Sequence, residues 1–178
     1  MTCIAGVVHK GKVFIGGDSA ASLNGSVVLH ANGKVFLNEG FLIGTCGTAR
    51  LSNLARYKFK PPELIKGEDL DAYIATRFVD ELRNCLKEAG NLTISDNYES
   101  GDGMLLVGFR SRIYRIDESF AAIRSLDDYA AIGSGMDIAL GALFATKSRA
   151  PNDRLKIALE AAAYLDDGVR GPFHIEVV

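Results

Sequence analysis

The chain has 178 residues, of which 48% are hydrophobic and 24% charged, with a net charge of -2 and a pI near 5.9. That is the composition of an ordinary folded protein: there is no basic excess to attract nucleic acid, and no apolar run approaches the roughly 20 residues that cross a bilayer. The length predicts a single domain over residues 1–178, and the opening residues lack the charged and apolar sections of a signal peptide, so a cytoplasmic protein is expected.

In chain order, residues 2–8 and 13–17 are apolar runs joined by His9-Lys10-Gly11-Lys12, which predicts a hairpin. Residues 26–30, 34–37 and 41–46 continue as strands, with turns supplied by Asn24-Gly25, Asn32-Gly33 and Glu39-Gly40. Helical periodicity follows over 48–57, closed by Pro61-Pro62, and again over 69–89, stopped by Gly90. A polar loop is expected from 97 to 102. Strands are then predicted at 104–109, 112–116, 119–123 and 129–132. Helices at 136–145 and 151–165 come next, the second opened by Pro151, and a final strand spans 172–178. This order predicts an α+β fold: two antiparallel sheets packed face to face, with a helical layer outside each, a four-layer αββα sandwich. Cys3, Cys46 and Cys85 are odd in number and widely spaced, which predicts reduced thiols. His9, His30 and His174 are dispersed, and no pair has metal-ligand spacing.

The residue with the most chemical content is Thr2. Methionine is generally trimmed ahead of small residues, and its removal would leave a threonine carrying both a hydroxyl nucleophile and a free α-amine to serve as its base. Asp18 follows Gly16-Gly17, and Lys34 follows Asn32-Gly33, so Thr2, Asp18 and Lys34 are evenly spaced along the chain. Taken singly, the aspartate reads as a turn residue and the lysine as the cap of a hairpin.

Taken together, they resemble the N-terminal nucleophile hydrolases of the proteasome β-subunit and HslV family. The resemblance places the family's nucleophile on Thr2, its aspartate on Asp18 within Gly-Gly-Asp-Ser and its lysine on Lys34 within Lys-Val-Phe. Its oxyanion-binding segment falls on Gly44-Thr45-Cys46-Gly47-Thr48-Ala49, with Gly47 the expected donor and Thr48 the alternative. Ser134, within Ile-Gly-Ser-Gly, matches the family's serine beside the terminal amine. Asp167, within Asp-Gly-Val-Arg-Gly, matches a second aspartate, and Arg170 stands where a serine usually follows. By the same resemblance Ala21, Asn32, Phe36, Cys46 and Ala49 would line the substrate side-chain pocket and Ser22 would bind substrate backbone, which implies an apolar specificity.

What the resemblance implies is a threonine endopeptidase subunit, active once Met1 is removed and needing no cofactor or metal. It would assemble as stacked homo-oligomeric rings, act on peptides or unfolded protein and be served by an ATP-dependent unfoldase. Two other readings fit the same motifs: a small-amide amidohydrolase of the same fold, and a catalytically silent ring subunit.

Overall fold

The computed structural model describes residues 1–23, 26–96 and 98–178. Strands β1 (Ile4–His9) and β2 (Lys12–Gly17) form the predicted hairpin, and its Lys10-Gly11 turn takes positive φ at both residues (48° and 80°). With β12 (Tyr129–Ile132) and β13 (His174–Val177) they make a four-stranded antiparallel sheet in the order β12-β1-β2-β13. A second, five-stranded sheet runs β11-β10-β9-β6-β5. Its strands are β5 (Val35–Asn38), β6 (Phe41–Gly47), β9 (Gly103–Phe109), β10 (Arg112–Ile116) and β11 (Ala122–Arg124).

Three apolar clusters show the layering. Ile4, Ile15, Val35, Leu42, Leu106 and Ile132 are packed between the sheets. Cys3, Ala5 and Val7 point the other way from β1, as strand alternation requires, and meet α4 (Met136–Ala145) and α5 (Pro151–Leu165) through Ala139, Leu143, Leu155 and Leu159. Ile43, Leu105 and Val107 likewise face outward from the second sheet, onto α1 (Ala49–Tyr57) and a long helical segment. That segment comprises α2 (Leu70–Tyr73), a π turn over Ile74–Phe78 and α3 (Val79–Glu88). The result is the αββα sandwich expected from the order of elements.

The strand pattern departs from expectation in three places. Residues Ala20–Leu23 form an additional strand, β3, which pairs with β4 (Ser26–Leu29) in a separate hairpin; the Asn24-Gly25 turn lies outside the described residues. The stretch expected as a polar loop contains β8 (Tyr98–Gly101), paired with β7 (Leu92–Ser95). This hairpin is largely exposed, so it has no apolar alternation to betray it. Glu99 ties it to α3 by accepting from Arg83 Nε (2.6 Å) and Lys87 Nζ (2.7 Å). Strand β11 also starts later than expected. Residues 119–121 are held in a turn by the Asp117 carboxylate, which accepts from the Ser119 and Ala121 amides (2.9 and 3.1 Å).

Candidate active site

Thr2 lies just ahead of β1 and is 6% exposed. Its carbonyl accepts from the Gly135 amide (3.2 Å), and its amide donates to Ser134 Oγ (3.1 Å), which moors it beside the end of β12. Gly133 makes this approach possible: its φ is +93°, and a Cβ there would run into the Thr2 carbonyl oxygen.

Asp18 is brought to the same place by the β1-β2 register. Pairing of Ile4 with Gly17 sets Asp18 beside Cys3, whose amide donates to Asp18 Oδ1 (3.0 Å). The Ala20 amide donates to Oδ2 (3.0 Å). The carboxylate is fully buried, so its charge needs these donors and a cation.

Lys34 supplies the cation from the other sheet. It precedes β5, its side chain is 10% exposed, and Nζ lies 2.8 Å from Asp18 Oδ1 and 2.8 Å from Thr2 Oγ1. The three evenly spaced residues therefore converge, although they arrive from two sheets. The Thr2 hydroxyl itself donates to the Met1 carbonyl (2.6 Å).

The register of β6 sets the two candidate amides, Gly47 and Thr48, apart. Successive amides along a strand point to opposite neighbours. Thr45 N donates toward β5, to Lys34 O (3.0 Å), and Thr48 N toward β9, to Asp102 O (3.2 Å). The Thr48 amide is thus engaged. The Gly47 amide falls on the β5 side, beyond the last β5 pair, Val35 with Gly44, in a cleft that Gly47 itself lines. Gly47 has φ +116°, and a Cβ there would collide with the Asp102 carbonyl oxygen. Thr48 instead caps α1, its Oγ1 accepting from Leu51 N (3.2 Å).

The structure corrects one charged position. Asp167, expected at the amine, is exposed, and its carbonyl accepts from Arg170 Nε (3.2 Å). Asp166 turns inward in its place. Hydrogen bonding with Ser134 draws its carboxyl below the usual carboxylate range, helped by the Gly168 amide, the Met1 amine and Lys34 against the opposing effect of burial. The cause is where α5 ends. Asp166 is the C-cap, in extended conformation with its amide on Ala162 O (2.8 Å), so the chain leaves the helix with the first of two adjacent aspartates facing the site. Arg170 is exposed; its carbonyl accepts from the Ser19 amide (3.0 Å). If the site carries the peptide hydrolysis that the resemblance implies, Asp166→Asn is expected to lower turnover by roughly tenfold or more, the scale of one charge-assisted hydrogen bond, and Asp167→Asn by less than about twofold. Initial rates of the two purified variants check this.

A cleft of about 330 Å³ opens over Thr2 and Lys34. Ala21, Ser22, Cys46 and Ala49 line it, joined by Met1, Ala20, His30, Thr45, Gly47, Thr48 and Ser52. Asn32 and Phe36 do not. Asn32 is exposed elsewhere, and Phe36 is 4% exposed in the outer cluster, with the Arg56 guanidinium 4.2 Å from its ring centre. The strand alternation explains this: Val35 points between the sheets, so Phe36 must point to the helices. His30 and Ser52 carried no motif in the sequence; only the folding of β4 and α1 onto one cleft reveals them.

The cysteines are free, and burial pushes the Cys46 thiol up and the Cys3 thiol up to about 12. A folded thiol raised from its ordinary 9.0 contributes stability that is complete below pH 9 and is lost as pH rises toward 12. Denaturant midpoints between pH 8 and 11 should fall, and Cys3→Ala should flatten that fall. Among the described residues no three His, Cys, Asp or Glu side chains are grouped to hold a metal ion, and no helix is long and apolar enough to cross a membrane.

The same architecture recurs in solved structures. BPH from Thiobacillus denitrificans matches with a TM-score of 0.84 and 23% identity, over 99% of this chain and 97% of that one. Its complex with epoxomicin matches at 0.82 and 22%, over 99% and 98%. HslV from Trypanosoma brucei matches at 0.69 and 20%, over 99% and 98%. The chain has the fold of HslV. Anbu, an ancestral beta-subunit from Yersinia bercovieri, shares this HslV-like fold at a TM-score of 0.68 and 11% identity, covering 99% of this chain and 81% of its own. No family model matches the sequence, and the search of curated proteins found no match.

Proposed function

We propose that this chain is a threonine peptidase subunit of a self-compartmentalised, HslV-like protease. The observation that carries the reading is Lys34 Nζ, 2.8 Å from both the Thr2 hydroxyl oxygen and the Asp18 carboxylate. A buried carboxylate that holds a lysine against a hydroxyl has one chemical use there: to keep a positive charge where an alkoxide develops.

In the proposed mechanism, removal of Met1 releases the hydroxyl from the Met1 carbonyl and converts the Thr2 amide into an α-amine, a base with an ordinary pKa of about 7.7–8.0. The amine takes the hydroxyl proton, directly or through a water, as Oγ1 attacks a peptide carbonyl carbon. The Gly47 N–H, at the positive end of the α1 dipole, stabilises the tetrahedral oxyanion, a contribution of roughly 3–4 kcal/mol for one such donor. Proton transfer to the leaving amine breaks the C–N bond and leaves an ester on Thr2. Water, deprotonated by the same amine, then frees the acid and restores the hydroxyl. Ser134, whose Oγ accepts from the Thr2 nitrogen (3.1 Å), fixes the amine over the hydroxyl, with the Asp166 carboxylate beside it. No cofactor enters this scheme.

The reading includes homo-oligomeric stacked rings, peptide or unfolded protein as substrate, an ATP-dependent unfoldase as partner and a cytoplasmic location. Its support in this chain is the HslV-like fold together with exposed apolar side chains on the α4-α5 layer, Phe144, Tyr164 and Leu165. Epoxomicin, the ligand of the Thiobacillus denitrificans BPH complex, is the probe of choice. Chains lacking Met1 should sediment as a ring and gain the mass of one epoxomicin at Thr2. A monomer that stays unlabelled would overturn the proposal.

A further inference from the structure

The cleft over Thr2 has a different chemistry from the apolar pocket that the sequence implied. Phe36 is withdrawn into the outer core, and the small side chains of Ala20, Ala21 and Ala49 leave hydroxyls and an imidazole to define what the space accepts. We infer that His30 makes this cleft selective for substrates with an acidic side chain within the three residues that precede the scissile bond. The inference rests on the peptidase reading and names the substrate class of that same site.

His30 follows β4 and is half-buried, and its backbone is pinned by donation from its amide to Ser19 O (2.8 Å), so the imidazole is presented from a fixed point. It lines the same cleft as Thr2 and Lys34. Among the described residues no Asp or Glu lines that cleft. The nearby Asp18 carboxylate is fully buried and takes donors on both oxygens, so it offers no negative charge to a substrate.

An imidazole donates one N–H when neutral and two when protonated, and the Ser22 and Ser52 hydroxyls are further donors on the same walls. A carboxylate satisfies all of these, and hydrogen bonds to an ionised acceptor are about twice as strong as neutral ones. A basic side chain would meet Lys34 and His30 with no acid to pair it. An apolar side chain would leave the imidazole and hydroxyls desolvated and unpaired.

The test uses the intact chain with Met1 removed. Peptides identical except for Glu, Gln or Leu at each of the three positions before the cut are assayed against wild type, His30→Leu and His30→Gln, and the readout is the ratio of kcat/KM values. Wild type is expected to prefer Glu over Leu by roughly tenfold at one position, with His30→Leu erasing the preference and His30→Gln keeping part of it. A Glu/Leu ratio that is near one in wild type, or unchanged in both variants, overturns the inference. A second arm is independent of turnover: fluorescence polarisation of labelled Glu and Leu peptides on Thr2→Ala, with and without His30→Leu. Selective, His30-dependent binding by a protein whose Thr2 form cleaves nothing would uphold the acidic selectivity and remove the peptidase reading. Active enzyme with His30-independent selection would do the reverse.

Discussion

Thr2→Ala is expected to abolish peptide hydrolysis, a loss on the order of 10⁵-fold or more, because in the proposed mechanism its hydroxyl is the nucleophile and its own amine the base. The fold should survive. Thr2 contributes its amide and carbonyl to Ser134 and Gly135, and an alanine keeps both. Thr2→Ser retains hydroxyl and amine but loses the methyl that narrows the choice of rotamer, so its rate should drop about three- to tenfold, the equivalent of roughly 0.5–1.5 kcal/mol. A chain that keeps Met1 should be as inactive as Thr2→Ala, since its Thr2 nitrogen is an amide and its hydroxyl is bonded to the Met1 carbonyl. Intact-mass spectrometry and a peptidase assay on the same preparation decide the matter: brisk hydrolysis by protein that fully retains Met1 rules out the free-amine mechanism.

Lys34→Ala should lower kcat/KM by roughly 10²–10³-fold, the range found when one preorganised electrostatic contact to a developing charge is removed. It also carries a structural cost. Asp18 would keep the Cys3 and Ala20 amides but lose the cation that Lys34 supplies, and breaking a buried pair from one side costs about 3–5 kcal/mol. That is below or comparable to the stability of a typical domain, so the variant should fold with a lowered Tm. Asp18→Asn should show the same two effects for another reason. An amide has one acceptor oxygen, whereas donors approach both oxygens of Asp18, so one amide N–H must face a donor, at roughly 1–3 kcal/mol. Thermal melts run beside the assays separate the two contributions. A Lys34→Ala enzyme with near-full turnover would end the proposed mechanism and leave the fold assignment intact.

Much of this architecture was legible in the residues because it follows local rules. The short continuous apolar runs of β1, β2 and β6, the period-3.6 runs of α1 and α3, and Pro151 at the start of α5 each declare themselves within a few residues. The β7-β8 hairpin did not, since two exposed strands bury too little to leave a pattern. Thr2, Asp18 and Lys34 were legible for another reason: their residue types and spacing resemble a known family, and in the structure the β1-β2 and β3-β4 hairpins return the chain so that the three meet.

The remaining features depend on where side chains point after the elements pack. Asp166 and Asp167 are equivalent in sequence, and only the residue at which α5 unwinds turns one toward Ser134 and the other to solvent. Gly47 and Thr48 are adjacent donors, and only pairing of β6 with β9 occupies one of them. Phe36 looked like a pocket wall until the β5 register placed it against the helices, and His30 and Ser52 joined the cleft from two elements distant in the chain. The sequence by itself determined the layers, because hydrophobic period and turn chemistry are local, and its spacing of Thr2, Asp18 and Lys34 carried a family resemblance that named them as candidates. The tertiary structure alone decided which aspartate, which amide and which side chains face the cleft, because a strand or helix turned by one residue presents a different side chain to the same point in space.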